Sequence, residues 1–384
     1  MDHILTEEKH HKIREKVRHF AENEIKPVAQ KLDEKEEFSA GLTEKLGKEG
    51  LFGMFISEEY GGANLDYLSF IIAIEEIARI DGSQAATVAA HNCLGIAPIY
   101  HYGTQEQKEK FLPKLTTGEA IWAFGLTEST AGSDAKNVKT RAILKDNQWI
   151  INGNKMFITN ASADMSAGIT VLANTAENGS EPEYSAILMN RDTPGYFTEP
   201  IKNMMLWRSS DTSRIRFKDC KVPGENLLGT RGKGLKIMLE TLDAGRLSIA
   251  AMGLGLAQGA YEMALQYAKN RKQFGKPIAS FQANAFKLAD MATKIQMVRT
   301  SLYNTVLLKD KGLPFSKEAA MIKLYASEVS KEVVDNAIQL FGAYGLLKEN
   351  DIERFYRDQR LLMIGEGTSE ILRLVISRKI GCYA

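Results

Sequence analysis

Cysteine is scarce in this 384-residue chain: only Cys93, Cys220 and Cys382 occur, far apart and never as C-x-x-C. That argues against a disulfide framework or a zinc ribbon and makes a reducing compartment the expectation. Histidine is scarce too. His3, His10, His11, His19, His91 and His101 all lie in the first part of the chain and form no H-E-x-x-H, so a metal site or a Ser-His-Asp hydrolase has little support. His10 and His11 read as solvated neighbours on a polar helix face, and His91 and His101 as packing or capping residues. No sign of charge dominates. The 49 basic and 48 acidic residues leave a net charge of +1, which gives no electrostatic reason to expect nucleic acid or an acidic membrane as partner. No run reaches the ~18 apolar residues of a membrane helix. The first residues lack an apolar signal core, and Glu7, Glu8 and Glu15 make them unlike an acid-poor transit peptide. The expectation is a cytoplasmic protein without membrane or nucleic-acid partners; a processed mitochondrial protein would read the same way.

What is present is the composition of an ordinary globular chain, 44% apolar and 25% charged, long enough to bury a core without disulfides. The pattern changes twice. Up to about residue 120 the spacing is helical. Thr6 is placed to cap a helix whose face carries Leu5, Ile13, Val17, Phe20 and Ala21, and YLSFIIAIEEIA (67–78) is a deeply apolar helix after Gly61-Gly62. From about 121 to 230 the apolar period becomes two. Asn152-Gly153 between apolar runs predicts a hairpin turn, and Ile215 and Phe217 alternate with Arg214, Arg216 and Lys218 in a half-buried strand that ends at Val222-Pro223. From 231 to 384 helical periodicity returns, with Leu288, Met291, Ala292, Ile295, Val298 and Leu302 on one stripe. Helices, then strands, then helices point to segregated layers, not to an alternating βαβ sheet.

Two glycine-rich segments mimic nucleotide motifs and fail. Gly253-Leu254-Gly255 with Gly259 has the wrong spacing for a dinucleotide fingerprint and sits in a helical stretch, so it reads as a face for close helix packing. Gly229–Gly234 lacks the P-loop order and reads as a connector. Two other segments remain open on their own residues. FGLTESTAGSD (124–134) is either a tight loop with hydroxyl turns or a loop that approaches a phosphate or a flat ring. IGEGTSEI (364–371) places Glu366 on an accessible turn before a helix capped by Thr368, which alone is most simply a solvated glutamate.

Together these segments resemble the acyl-CoA dehydrogenase family. FGLTESTAGSD is similar to its flavin loop, and RSSDTSRIRFKDCKVPGENLLG (208–229) to its R-x-S-D-T strand. RKQFGKP (271–277) followed by Phe281-Gln282, QLFGAYG (339–345) and EGTS (366–369) follow in the family's order along the whole chain. The resemblance implies an N-terminal helical domain (1–120), a middle β-barrel or sandwich domain (121–230) and a C-terminal four-helix bundle (231–384). It also implies FAD, an acyl-CoA substrate, a homotetramer, and electron-transfer flavoprotein as acceptor. Phe124, Leu126, Thr127, Gly132, Ser133, Phe157, Ile158 and Thr159 would line the FAD. Arg271, Phe274, Gln282, Gln339, Gly342 and Ala343 would reach the FAD of a neighbouring subunit, and Thr368 and Glu370 would close over its adenosine diphosphate part. Ser133, Asp243, Arg246, Gly367 and Arg378 would serve the CoA thioester, with His91 and Gly365 near its acyl group. Glu366 would be the base that takes the α-proton.

Three departures matter. Some members carry the base in a segment resembling L-x-x-E-R; here that segment is Leu242-Asp243-Ala244-Gly245-Arg246, which leaves Glu366 as the candidate. Many straight-chain enzymes of the family place Tyr before the catalytic glutamate, and here Gly365 stands there, which suggests room for a branched or cyclic acyl group. Ser129-Thr130 also replaces the frequent Pro-Gly of the flavin loop. Outside catalysis, the fold could persist in a non-catalytic CoA-binding scaffold; flavin that bleaches with an acyl-CoA separates the two readings.

Overall fold

The computed structural model describes residues 6–177 and 180–382. Seven helices come first: α1 (Glu8–Phe20), α2 (Lys26–Lys35), α3 (Ala40–Lys48), α4 (Tyr67–Ala78), α5 (Gly82–Ala89), α6 (Ala97–Tyr102) and α7 (Gln105–Thr116). Eight strands follow: β1 (Ile121–Gly125), β2 (Arg141–Lys145), β3 (Gln148–Thr159), β4 (Ser166–Asn174), β5 (Tyr184–Asn190), β6 (Tyr196–Pro200), β7 (Thr212–Pro223) and β8 (Leu227–Leu228). The last part holds α8 (Gly234–Asn270), the small hairpin β9 (Lys272–Gln273) and β10 (Lys276–Pro277), then α9 (Gln282–Asp310), α10 (Ser316–Phe341), α11 (Ile352–Asp358) and α12 (Ser369–Lys379). Among the described residues no helix is long and apolar enough to cross a membrane.

The strands run β6-β7-β3-β2-β4-β5-β8, with β1 parallel to β4. Only one pairing, Arg141 with Asn174, joins β2 to β4. The sheet therefore divides there, and Trp149, Ile151, Ile215 and Phe217 from one half share a buried cluster with Ile169, Val171, Ile187 and Met189 from the other. Alternation along β7 buries Ile215 and Phe217 and leaves Arg214, Arg216 and Lys218 outside, as the period of two requires.

The hairpin turn lies six residues before the site the sequence suggested. Asp146 and Asn147, both at positive φ, turn β2 into β3, whereas Asn152-Gly153 lies inside β3 at a register shift against β7. Gly153 sits at φ 150°, and a methyl on it would meet Thr140 at 2.5 Å. The glycine marks a bulge with close packing, which competes with the turn reading of Asn-Gly.

The N-terminal cap is also displaced. Glu7, not Thr6, precedes α1, and its N–H donates to His10 Nδ1 at 2.8 Å. His10 is buried, with Nε2 3.0 Å from Asp66, the N-cap of α4. The expectation of a solvated His10 is thus corrected: it ties α1 to α4. Leu5 and His3 lie outside the described residues.

Helix α4 is buried at every residue, each Leu or Ile contributing about 1.5–3 kcal/mol. It lies on α8 because α8 presents no side chains there. A methyl on Gly255 would fall 2.3 Å from Glu75 O and one on Gly259 2.1 Å from Arg79 O; on the α10 side, one on Gly253 would meet Ala326 O at 3.2 Å. The small-residue face read from the sequence is a two-sided seat. Glu75, buried in α4, accepts from Arg299 at 2.9 Å and from Tyr303 at 2.5 Å, so an ionic link joins the first helices to α9.

Candidate active site

The segment between α11 and α12 makes two left-handed residues in succession, Glu366 at φ 52° and Gly367 at φ 101°. Gly367 takes that conformation freely, while Glu366 does so at a cost. The surroundings enforce it. The N–H groups of Ile364 and Gly365 both bond Leu361 O, and Thr368 caps α12 by accepting from Ile371 N at 3.2 Å. Lys323 Nζ donates to Gly367 O at 2.7 Å. No acceptor among the described residues bonds the Glu366 N–H.

The carboxyl of Glu366 is turned inward. Its Oε2 is buried without a hydrogen-bond partner and lies directly over α8: a methyl on Gly245 would be 2.2 Å from Oε2 and 3.2 Å from Leu94. The sequence placed this glutamate on an accessible turn; the residue is half-buried, with Oε2 turned away from solvent. Burial raises its pKa to about 7, against the opposing pull of Lys323 and Arg246. Arg246 is itself buried and paired with Asp243 on the same helix turn. Tyr67 of α4 closes the floor, donating to Ala244 O at 3.0 Å with Cys93 Sγ also at 3.0 Å. Glu366, Gly367, Asp243 and Arg246 are therefore brought together. Beside them a methyl on Gly365 would meet only Leu361 atoms, in ordinary contact at 3.7 Å or more.

Other predicted residues fall elsewhere. His91 is fully buried; Nδ1 accepts from Trp122 N–H at 3.1 Å and Nε2 donates to Leu115 O at 2.8 Å. Burial lowers its pKa to about 4. Both ring nitrogens are used inside the protein, so His91 is corrected from a pocket residue to a tie between the Ala90–Ile96 segment, α7 and β1. Arg378 is exposed near the end of α12, roughly 15 Å along the axis from Thr368 at 1.5 Å per residue. It is not among the groups around the Glu366 carboxyl.

A second assembly lies on the β layer. Thr127 O accepts from Met156 N–H at 3.0 Å, which holds the 126–134 loop against β3. Phe157 is pushed outward at the adjacent register shift, at φ 59° and 56% exposed. Thr127 and Thr159 flank it half-buried, as does Phe124 of β1, while Gly132 and Ser133 are exposed on the loop. Leu126 and Ile158 are buried, so they offer a ligand backbone more than side chain. Beneath the loop, Lys155 Nζ reaches Glu128 at 2.8 Å and Leu126 O at 3.1 Å.

A third group sits on the C-terminal helices. Arg271, Phe274 and Gln282 flank the β9–β10 hairpin, with Phe274 at φ 52° and 93% exposed. Gln339, Gly342 and Ala343 lie exposed at the end of α10. Arg271 stacks over Tyr344 at 5.4 Å, which joins hairpin and helix end. Gly342, at φ 60° and ψ −141°, takes a conformation open only to glycine. Glu370 is exposed in the first turn of α12.

An exposed ring flanked by hydroxyls, an exposed guanidinium and a glycine turn suit a ligand with a flat ring system and phosphates. The comparisons decide which one. Family models for the acyl-CoA dehydrogenase N-terminal, middle and C-terminal domains match residues 7–119, 123–220 and 232–381. The chain belongs to the acyl-CoA dehydrogenase family. It is 45% identical over 381 residues to a probable acyl-CoA dehydrogenase of Bacillus subtilis, covering 99% of this chain and 100% of that relative. Butyryl-CoA dehydrogenase from Megasphaera elsdenii superposes with a TM-score of 0.94 at 37% identity, over 98% of each chain. A chain from a solved structure of the electron-transferring flavoprotein of Acidaminococcus fermentans gives 0.94 at 40%, again over 98% of each. This acyl-CoA dehydrogenase is an FAD-dependent oxidoreductase acting on acyl-CoA thioesters. Its β-layer and hairpin residues fit that cofactor in chemistry and exposure.

The residues missed from the sequence are Lys323 and Tyr67. Lys323 had a signal: it interrupts the buried stripe Ala319, Ala320, Ile322, Ala326 and Ser327 of α10.

Proposed function

We propose that Glu366 removes the α-proton of a short, branched or cyclic acyl-CoA. The observation that supports this most directly is the buried, unpartnered Oε2 of Glu366 above Gly245. A carboxylate held dry with a pKa near the working pH is a competent base for a weakly acidic C–H. The free N–H of Glu366 is available to the thioester oxygen as enolate charge develops. Asp243 and Arg246 hold the CoA chain, and Ser133 serves it from the β layer. Gly365 leaves space for bulk near the reacting carbons. Bound FAD supplies the acceptor for the hydride that leaves the β-carbon.

The remaining parts of the reading are these. Thr127, Phe157 and Thr159 hold the flavin, while Arg271, Phe274, Gln282, Gln339, Gly342 and Ala343 serve the cofactor of a neighbouring subunit in a homotetramer. Thr368 and Glu370 close over its diphosphate end. The domain borders fall at 120/121 and 230/231, the acceptor is electron-transfer flavoprotein, and the enzyme works in the cytoplasm. The similarity to the chain from the flavoprotein structure supports the acceptor.

Anaerobic mixing with a panel of acyl-CoAs tests the reading. The flavin of the wild type bleaches, most with short or branched thioesters, and Glu366→Gln keeps its yellow colour while bleaching slows by several orders of magnitude. Near-normal bleaching by Glu366→Gln refutes the base assignment. A clean preference for straight-chain butyryl- or hexanoyl-CoA over branched and alicyclic thioesters refutes the reading of Gly365.

A further inference from the structure

Lys323 is fully buried on α10, a helix face otherwise made of small and apolar residues. Its Nζ bonds the carbonyl of the residue next to the base, Gly367 O, at 2.7 Å. One helical turn on, Ser327 Oγ shares its proton between Lys323 O at 2.7 Å and Leu362 O at 2.9 Å. Helix α10 thus grips the 362–367 segment at two points, and the ammonium stands at the one beside the strained Glu366-Gly367 turn.

We propose that Lys323 is a positioning residue of this dehydrogenase: its ammonium fixes the Glu366-Gly367 turn and favours the anionic form of the Glu366 carboxyl. The inference rests on the reading of Glu366 as the base.

The charges around the carboxyl support it. From α8 comes Arg246, already paired with Asp243. From α4 and the Ala90–Ile96 segment come Tyr67 and Cys93, both held neutral by burial, the Cys93 thiol pushed up to about 12. Lys309, whose Nζ stands 4.3 Å from the Tyr67 ring centre, acts on Cys93 and not directly on Glu366. Among the described residues no carboxylate lies within ion-pair distance of Lys323. The Glu366 carboxyl itself is beyond that distance, so the ammonium acts on it at longer range from its post on Gly367 O; Lys323 and Arg246 are the two cations that oppose the rise in the Glu366 pKa. Burying an ammonium for one carbonyl bond alone is a poor trade in stability, because a neutral side chain would fill the same space without the desolvation penalty. Burial lowers the Lys323 pKa to about 8, and the Glu366 carboxylate opposes that fall.

The test uses the FAD-loaded enzyme and compares wild type, Lys323→Met, Lys323→Arg and Glu366→Gln. Two quantities are followed against pH: the rate of anaerobic flavin reduction by a bleaching acyl-CoA, and the infrared carbonyl band of the protonated carboxyl that disappears in Glu366→Gln. Removing the cation disfavours the carboxylate. The acid limb and the infrared midpoint of Lys323→Met therefore move to higher pH by about a factor of ten in proton concentration, with FAD content unchanged. Lys323→Arg keeps both near their wild-type positions. If Lys323→Met does not retain FAD, Lys323→Gln carries the same comparison. Midpoints in the neutral variant that coincide with wild type overturn the proposal, as does an equal displacement in Lys323→Arg. An inactive Glu366→Gln with an unmoved Lys323→Met defeats the proposal alone. An active Glu366→Gln defeats the base assignment instead.

Discussion

Gly245→Ala is the smallest change that reaches the base. The new methyl would stand 2.2 Å from Glu366 Oε2 and 3.0 Å from its Cδ, where ordinary contact begins at 3.4 Å. The carboxyl must therefore retreat by about 1.2 Å, and the methyl would also press on Leu94 at 3.2 Å. A misplacement of roughly 1 Å at a reacting group costs on the order of a hundredfold in rate. Stability should change little or improve, because alanine is about 1 kcal/mol better than glycine inside a helix. Stopped-flow flavin reduction, the FAD-to-protein absorbance ratio and a melting curve separate these effects. The expected result is flavin reduction slowed about a hundredfold in a protein that is yellow and at least as stable. Reduction within threefold of wild type would falsify the claim that the Gly245 gap seats the carboxyl.

Three further outcomes follow from the same structure. Glu366 has a folded pKa of about 7, above its ordinary 4.5; the fold therefore favours the protonated form, and stability falls as pH rises from the lower value through the higher. Glu366→Gln removes that loss, so its melting temperature should exceed that of wild type at pH 8 and approach it at pH 5; equal gaps at both would contradict the buried carboxyl. His91→Ala strips two buried hydrogen bonds and leaves a cavity, and should lower stability by about 3 kcal/mol with KM unchanged in the folded fraction. A KM that rises at unchanged stability would return His91 to the pocket. Gly365→Tyr should cut kcat/KM for a branched thioester about tenfold relative to butyryl-CoA, measured side by side; an unchanged ratio would show that position 365 does not face the acyl group.

The layer order was legible because burial imposes a period on each element: the apolar stripe of α9 and the alternation of β7 appear in the structure where they appear in the sequence. Local signals with two physical meanings were not resolved. Asn-Gly serves a turn or a bulge, and the choice at Asn152-Gly153 was made by Thr140, thirteen residues away from Gly153. His10 has polar neighbours in sequence, but its burial depends on Asp66. Around Glu366 the motif order supplied the candidate, while the inward turn of its carboxyl depends on Gly245 and Lys323, remote segments that no local pattern links. His91 stood beside the expected pocket, yet its two bonds reach Leu115 and Trp122.

The glycines of α8 bear on how the enzyme comes apart. Gly253, Gly255 and Gly259 each make this 37-residue helix less stable by about 1 kcal/mol relative to alanine. The helix offsets that weakness only where the backbones of α4 and α10 press into the gaps. A nick or denaturant that lifts the first helices away thus withdraws the support that keeps α8 wound. The three units marked out by sequence are in this sense not three units of unfolding: the N-terminal and C-terminal helices should melt in one transition, and a fragment starting at α8 should not persist by itself.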